Sequence, residues 1–180
     1  MHGWIHERSA SLPYEVERSL LLRSADTLER ITGVRPVGMR TPSWDFSPHT
    51  GTLASELGLV YDSSLMADDD CYELLVEGKA TGVVEVPVEW SRSDSSYFLW
   101  VRGPSGLRPY TPPSDVLEIF TREFDAAYST GGLFQLTLHP HIIASRSRIW
   151  ILDELLRLAR SKGDCWFATH AEIAEFVKPW

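Results

Sequence analysis

Two histidines, His2 and His6, stand four positions apart in the opening run H-G-W-I-H. On a helical turn such a pair points the same way and can share one divalent metal ion. Glu7 follows directly and could support one of the rings from outside. In a chain with six His the spacing can equally arise by chance. A second cluster, G-M-R-T-P-S-W over residues 38–44, puts Arg40 just beyond an expected strand. A guanidinium there can hold a carboxylate through two hydrogen bonds and keep it ionised. The plainer alternative is a surface Arg beside a packing Trp. The third cluster is L-T-L-H-P-H, in which an apolar strand delivers His139 as the chain leaves the sheet. Imidazole titrates near neutrality and suits acid–base work, although a structural His satisfied by hydrogen bonds would look the same.

The elements that must position these residues alternate between strand and helix. From Pro13 to Ile31, the apolar residues Val16, Leu20, Leu21, Ala25, Leu28 and Ile31 recur at three and four, which predicts a helix ended by Gly33. Short strands are expected over residues 34–39, near 59–61, over 83–88, 133–138 and 165–168. Further helices are expected over 53–57, from Ser114 to Gly131, over 148–162 and over 171–176. This pattern, with no internal repeat, predicts an α/β fold with parallel strands and chemistry at their C-terminal ends.

Composition narrows the function classes. The 180 residues carry a net charge of −8 and no run of Lys or Arg, which argues against nucleic-acid binding. No apolar stretch reaches the roughly 20 residues that a membrane helix needs, and no leader resembling a signal peptide is visible. Cys71 and Cys165 read as free thiols in a reducing compartment, so the expected location is cytoplasmic. The seven Trp are a high count, and Trp4, Trp44, Trp90 and Trp100 fall in loop-like stretches where an aromatic can line a ligand pocket or cap a core. G-x-S-x-G, G-x-x-x-x-G-K-[ST] and G-x-G-x-x-G are all absent, which excludes the corresponding hydrolase, phosphate-loop and dinucleotide sites.

Taken in order, the three clusters resemble the NodB-homology polysaccharide deacetylases, with the nearest likeness to the cytoplasmic allantoinase-like and cyclic-imidase-like branch. H-G-W-I-H-E matches the family's H-x-x-x-H motif, R-P-V-G-M-R-T-P-S-W-D-F-S its R-x-P-aromatic motif, and L-T-L-H-P its closing L-x-L-H-P motif, followed by Arg148 and a helix. The resemblance implies one catalytic domain over residues 1–180, built as a distorted seven-stranded (β/α) barrel. It implies a hydrolase of carbon–nitrogen bonds other than peptide bonds, acting on an N-acetyl carbohydrate, a ureide or a cyclic imide. His2 and His6 would then be ligands of a divalent metal, zinc being the expected one. His139 would be the general acid, Arg40 would tune a catalytic carboxylate, and Asp94 in W-S-R-S-D is the candidate partner that orients His139. Asp62 in Y-D-S-S-L is a further acidic residue near the site in such proteins.

The same resemblance implies a strand ending in paired Asp upstream of H-x-x-x-H, supplying a third metal ligand and the catalytic base. Only Met1 precedes His2 here. The sequence is therefore expected to be an N-terminally incomplete domain without its first strand or strands and inactive as it stands, through a misassigned start, a fragment or a true loss. The alternative is a non-catalytic remnant that binds a ligand or a partner protein. Expected partners are a small-molecule or carbohydrate substrate, with no nucleic acid and no membrane, and a homo-oligomer left open.

Overall fold

The computed structural model describes residues 1–99 and 111–178. In chain order the elements are α1 (Tyr14–Thr32), β1 (Gly38–Met39), α2 (Thr50–Glu56), β2 (Tyr61–Asp62), β3 (Tyr72–Val76), β4 (Lys79–Glu85), α3 (Ser95–Phe98), α4 (Pro113–Thr130), α5 (Pro140–Ile143), α6 (Ile149–Lys162) and α7 (His170–Val177). They fall into two compact units, Met1–Pro87 with Ala168–Trp180, and Val88–Phe167.

The first unit is built on a four-stranded sheet of order β1-β2-β4-β3. β1, β2 and β4 run parallel, and β3 returns antiparallel to β4. The register places Gly38, Tyr61 and Val84 in one row and Met39, Asp62 and Glu85 in the next, so each row presents side chains to one face. Leu21, Met39, Leu53, Ala54, Leu59, Leu74 and Val83 form the core of this unit. Helix α1 contributes Leu21 from the stripe read in the sequence and ends at Gly33, whose φ of 77° closes the helix left-handed. Its Glu17 is buried, yet Ser47 Oγ and Thr50 Oγ1 donate to its carboxylate at 2.5 and 2.6 Å, which ties the loop ahead of α2 to α1.

The second unit packs helix on helix. Phe98, Val116, Phe120, Ile142, Ile143, Ile151 and Leu155 make its core, from α3, α4, α5 and α6. No ladder forms over 133–138 or 165–168, where strands are expected from the apolar runs. Residues 133–138 contribute one parallel bridge, Ser93 to Thr137, while Leu136 and Leu138 pack against the core. An apolar run of this length cannot by itself separate a laddered strand from an extended segment buried by side-chain packing. Among the described residues the sheet has four strands, and a closed barrel is not seen. No helix among them is long and apolar enough to cross a membrane.

Candidate active site

Three parallel strands end side by side in the first unit, and two polar turns leave their C-terminal ends. Arg40 leaves β1 and Ser63 leaves β2, one register step beyond Met39 and Asp62. The ladder continues through Ser63 N–H to Met39 O at 3.1 Å. The Arg40 guanidinium turns back onto the neighbouring strand, with Nε donating to Ser63 O at 2.8 Å and Nη2 to Ser63 Oγ at 2.6 Å. The turn after it is backbone-strained. Ser43 and Trp44 both lie left-handed, at φ 55° and 56°, in a one-turn 3-10 segment that starts at Pro42. Non-glycine residues held there cost about 1–3 kcal/mol each and tend to cluster at functional sites.

His2 and His6 come together, but not on a helix. Residues 1–8 form no helix and bend at 4–6, and His6 sits at φ 59°. Gly3, at φ 64°, lets this segment close against the next turn, since a Cβ there would lie 2.8 Å from Pro42 Cγ. Glu7 does not support either ring. Its carboxylate accepts the backbone N–H groups of Trp4 and Ile5 and so holds the bend. With helical geometry replaced by this clamp, the two imidazoles still stand edge to face, 5.2 Å between centroids. His2 Nδ1 lies 2.8 Å from Arg40 O. A carbonyl only accepts, so Nδ1 carries the proton and Nε2 is left with a lone pair. Desolvation lowers the His2 pKa, with the bond to Arg40 O opposing it, which favours the neutral ligating form. The donor types suit zinc, and together the two rings can fill two positions of a tetrahedral site. Among the described residues no third His, Cys, Asp or Glu joins them.

Asp62 and Glu85 are the carboxylates beneath Arg40, and Glu85 was missed in the sequence. Both are fully buried and adjacent in register. Glu85 Oε1 accepts from the N–H groups of Ser64 and Leu65, both at 2.8 Å, and Asp62 Oδ1 accepts from Ser64 Oγ at 3.0 Å. Their other oxygens, Asp62 Oδ2 and Glu85 Oε2, have no donor if both groups are ionised. Burial raises both pKa values, and with the charge of Asp62 beside it Glu85 is pushed up to about 9. Two carboxylates in such contact share one proton. Carried on Glu85, that proton hydrogen-bonds to Asp62 and satisfies both orphaned oxygens. A lone carboxylate inside the apolar run V-V-E-V-P-V was the signal available in the sequence.

The second unit holds the other half of the expected chemistry. Thr137 N–H donates to Arg92 O at 2.9 Å and Asp94 N–H to Thr137 O at 3.2 Å, so two extended segments run side by side and present Asp94 to His139. Asp94 is fully buried, and both of its oxygens are used. Oδ2 accepts His139 N–H at 2.9 Å, and Oδ1 lies 2.6 Å from His139 Nδ1. The carboxylate therefore fixes the proton on Nδ1 and aims the ring, leaving Nε2 to exchange a proton with a ligand. Pro140 then opens α5, and Arg148 secures it by donating to Ile142 O at 3.0 Å while its guanidinium lies 4.8 Å from the Phe98 ring centroid.

Of the loop tryptophans, Trp4 lines an open groove of about 560 Å³ on α1, with the Arg23 guanidinium 4.4 Å above its ring. Trp44 is half-buried and Trp90 exposed, while Trp100 lies outside the described residues.

One unit thus carries a His pair and an Arg at the end of an α/β sheet, and the other a buried Asp that orients a His. The neighbours of this chain by sequence and by fold are polysaccharide and peptidoglycan deacetylases of the NodB-like kind, which are hydrolytic enzymes, and an allantoinase. Over 98% of its length the chain is 26% identical to a peptidoglycan deacetylase of Helicobacter pylori and 22% identical to a peptidoglycan deacetylase-like protein of Gibberella zeae. A solved structure assigned as a polysaccharide deacetylase from Mycobacterium smegmatis superposes with a TM-score of 0.88 over 98% of the chain, at 35% identity. The PuuE allantoinase shares the fold at a TM-score of 0.81 and 23% identity over 97% of the chain. No family model matches. The chain spans 69% and 62% of the two curated relatives and 61% and 56% of the two solved ones. None of this supports the expectation that the chain is inactive.

Proposed function

We propose that the chain is part of a deacetylase-type hydrolase that cleaves the amide of an N-acetylated carbohydrate, with ureides and cyclic imides as the related substrate classes. The observation that carries this reading is the Asp94–His139 pair, in which a buried carboxylate spends both oxygens on one residue. In amide hydrolysis water adds to the carbonyl carbon, the C–N bond breaks, and the departing nitrogen takes a proton. His139 gives that proton from Nε2, and Asp94 stabilises the doubly protonated ring before the transfer. Arg40, fixed on Ser63, contributes a positive charge that favours the ionised form of a carboxylate close to it. His2 and His6 would hold a divalent ion, with zinc the best match to imidazole donors. Such an ion supplies Lewis acidity toward the amide carbonyl.

Acetate release from N-acetylated glycans, peptidoglycan included, tests the reading, with a ureide and a cyclic imide assayed in parallel. His139→Ala is expected to lower turnover by about 10²–10⁴-fold, the usual worth of general acid–base catalysis. It should leave metal content unchanged. Equal turnover in wild type and His139→Ala removes the acid from the mechanism.

A further inference from the structure

His170 belongs to none of the motifs that point to the active site, and in the sequence it stands just ahead of a short closing helix expected over 171–176. The structure gives it a defined place. Its ring stacks on Tyr61 at 5.5 Å between centroids and 26° between planes. Its Nε2 lies 3.4 Å from Arg40 Nη2, across 130 positions of chain. We propose that His170 is a positioning residue for Arg40: its imidazole, held flat against Tyr61, presents Nε2 as a fixed acceptor that sets the direction of the guanidinium. The proposal deepens the reading above and rests on it for the part Arg40 plays.

Two contacts of Nη2 bear on its direction. Nη2 carries two N–H groups and no lone pair. One reaches Ser63 Oγ at 2.6 Å and the other points to His170 Nε2. A guanidinium nitrogen held from two sides cannot turn about its long side chain. Because Nη2 only donates, Nε2 must accept, and the imidazole must be neutral with its proton on Nδ1. The surroundings enforce that state. Burial, and then the charge of Arg40, push the His170 pKa down to about 4. Its place in the first turn of α7 disfavours a cation as well. Arg40 is the charged group that acts on it, and Tyr61 stacks on it from β2, one of the two strands that α7 packs against.

The support behind His170 is stiff on every side. Tyr61 lies directly over Gly38, where a Cβ would sit 2.2 Å from the ring, so the tyrosine is pressed against bare backbone. On the helix side, Thr169 and Glu172 form a reciprocal cap. Thr169 N–H donates to Glu172 Oε2 at 2.7 Å, and Thr169 Oγ1 accepts Glu172 N–H at 3.3 Å. This cap fixes the residue immediately before His170. Backbone, tyrosine, imidazole and guanidinium thus form one stack whose last member is the catalytic-site cation.

The test follows the guanidinium itself, by 15N NMR of the full chain near pH 7. Separate, slowly rotating Nη2 protons are expected for Arg40 in wild type. His170→Phe keeps a ring on Tyr61 but offers no acceptor, and should abolish that separation. His170→Gln restores an acceptor and should recover it. In the same spectra the His170 ring should remain neutral down to about pH 5, and Arg40→Met should raise its pKa. Thermal melts confirm that each variant is folded, which the half-buried position of His170 favours. Unchanged Arg40 rotation in both His170→Phe and His170→Ala overturns the proposal. So does a His170 titration indifferent to Arg40→Met. Acetate release from peptidoglycan adds a second arm, in which His170→Phe should lower kcat while KM stays close to wild type, and His170→Gln should recover part of the loss. Wild type that releases no acetate counts against the hydrolase reading alone, because the NMR result judges the Arg40–His170 link without turnover.

Discussion

In the proposed mechanism Asp94 matters more than its own chemistry suggests, because its two oxygens set both the backbone and the ring of His139. Asp94→Asn keeps the shape but removes the charge that stabilises the protonated ring. Its turnover is expected to fall by about 10²-fold or more, close to the His139→Ala loss, since the two act as one unit. Losses that multiply in the double variant contradict that coupling. His2 allows a similar test without turnover. Calorimetric titration with zinc should show binding in wild type and its loss in His2→Ala and in His6→Ala. The outer partners of a metal-binding imidazole are worth about 10- to 100-fold in affinity, so removing a ring should cost at least as much. Undiminished binding in both variants moves the ion elsewhere. At this scale the sequence singles out residues whose type announces chemistry, as at His2, His6, Arg40 and His139. It was silent at His170 and Glu85, whose significance comes from the side chains that long-range packing brings against them.

The elements show which local signals survive folding. Helices α1, α4 and α6 lie within a residue or so of expectation because each has a continuous apolar stripe and a glycine at its end. Three of the expected strands lie at or beside the observed β1, β2 and β4 but shrink to two residues at β1 and β2, since ladder length depends on partners that one strand's sequence does not name. The β3–β4 hairpin was not anticipated, although Glu77-Gly78, both at positive φ, is a hairpin turn of the kind that Asx-Gly pairs usually mark. Gly38 is the element-level position most open to test. Gly38→Ala drives a methyl into the Tyr61 ring and should cost about 1–3 kcal/mol, the usual range for overpacking. Combined with Tyr61→Ala, the second change should cost less than it does alone. Strictly additive losses mean that the ring is not what the methyl meets.

Glu85 gives the sheet a pH dependence with a definite sign. Its pKa in the fold is raised to about 9 from an ordinary value near 4.5, so the fold favours the protonated form. The stability tied to that proton is fully present below about pH 4.5. It falls as pH rises and is gone above about pH 9. Glu85→Gln keeps a donor toward Asp62 and an acceptor for Ser64 and Leu65 without a titrating group. Its melting temperature should match wild type near pH 5 and exceed it near pH 9. Parallel curves for the two proteins across that range contradict the shared proton. Each tenfold displacement of a proton equilibrium is worth about 1.4 kcal/mol, enough to read in a thermal melt.

At the scale of the molecule two cores are seen, one around Leu53 and Met39 and one around Phe120 and Ile151, and among the described residues none belongs to both. Leu53→Ala is expected to cost about 2–5 kcal/mol and Phe120→Ala about 3–5 kcal/mol, each read by urea denaturation. The division was not visible in the sequence, where the alternation of strand and helix runs on without a break in composition. The first unit is itself discontinuous, since its chain leaves at Pro87 and returns at Ala168. During synthesis this imposes a schedule. The four-stranded sheet is complete once β4 has emerged, but the imidazole that meets Arg40 is encoded 130 positions after it. For all that interval a nascent chain carries an arginine whose hydroxyl partner is already in place and whose ring partner does not yet exist. The contact between Arg40 and His170 is thus a late event of translation, possible only once the chain beyond α6 has emerged.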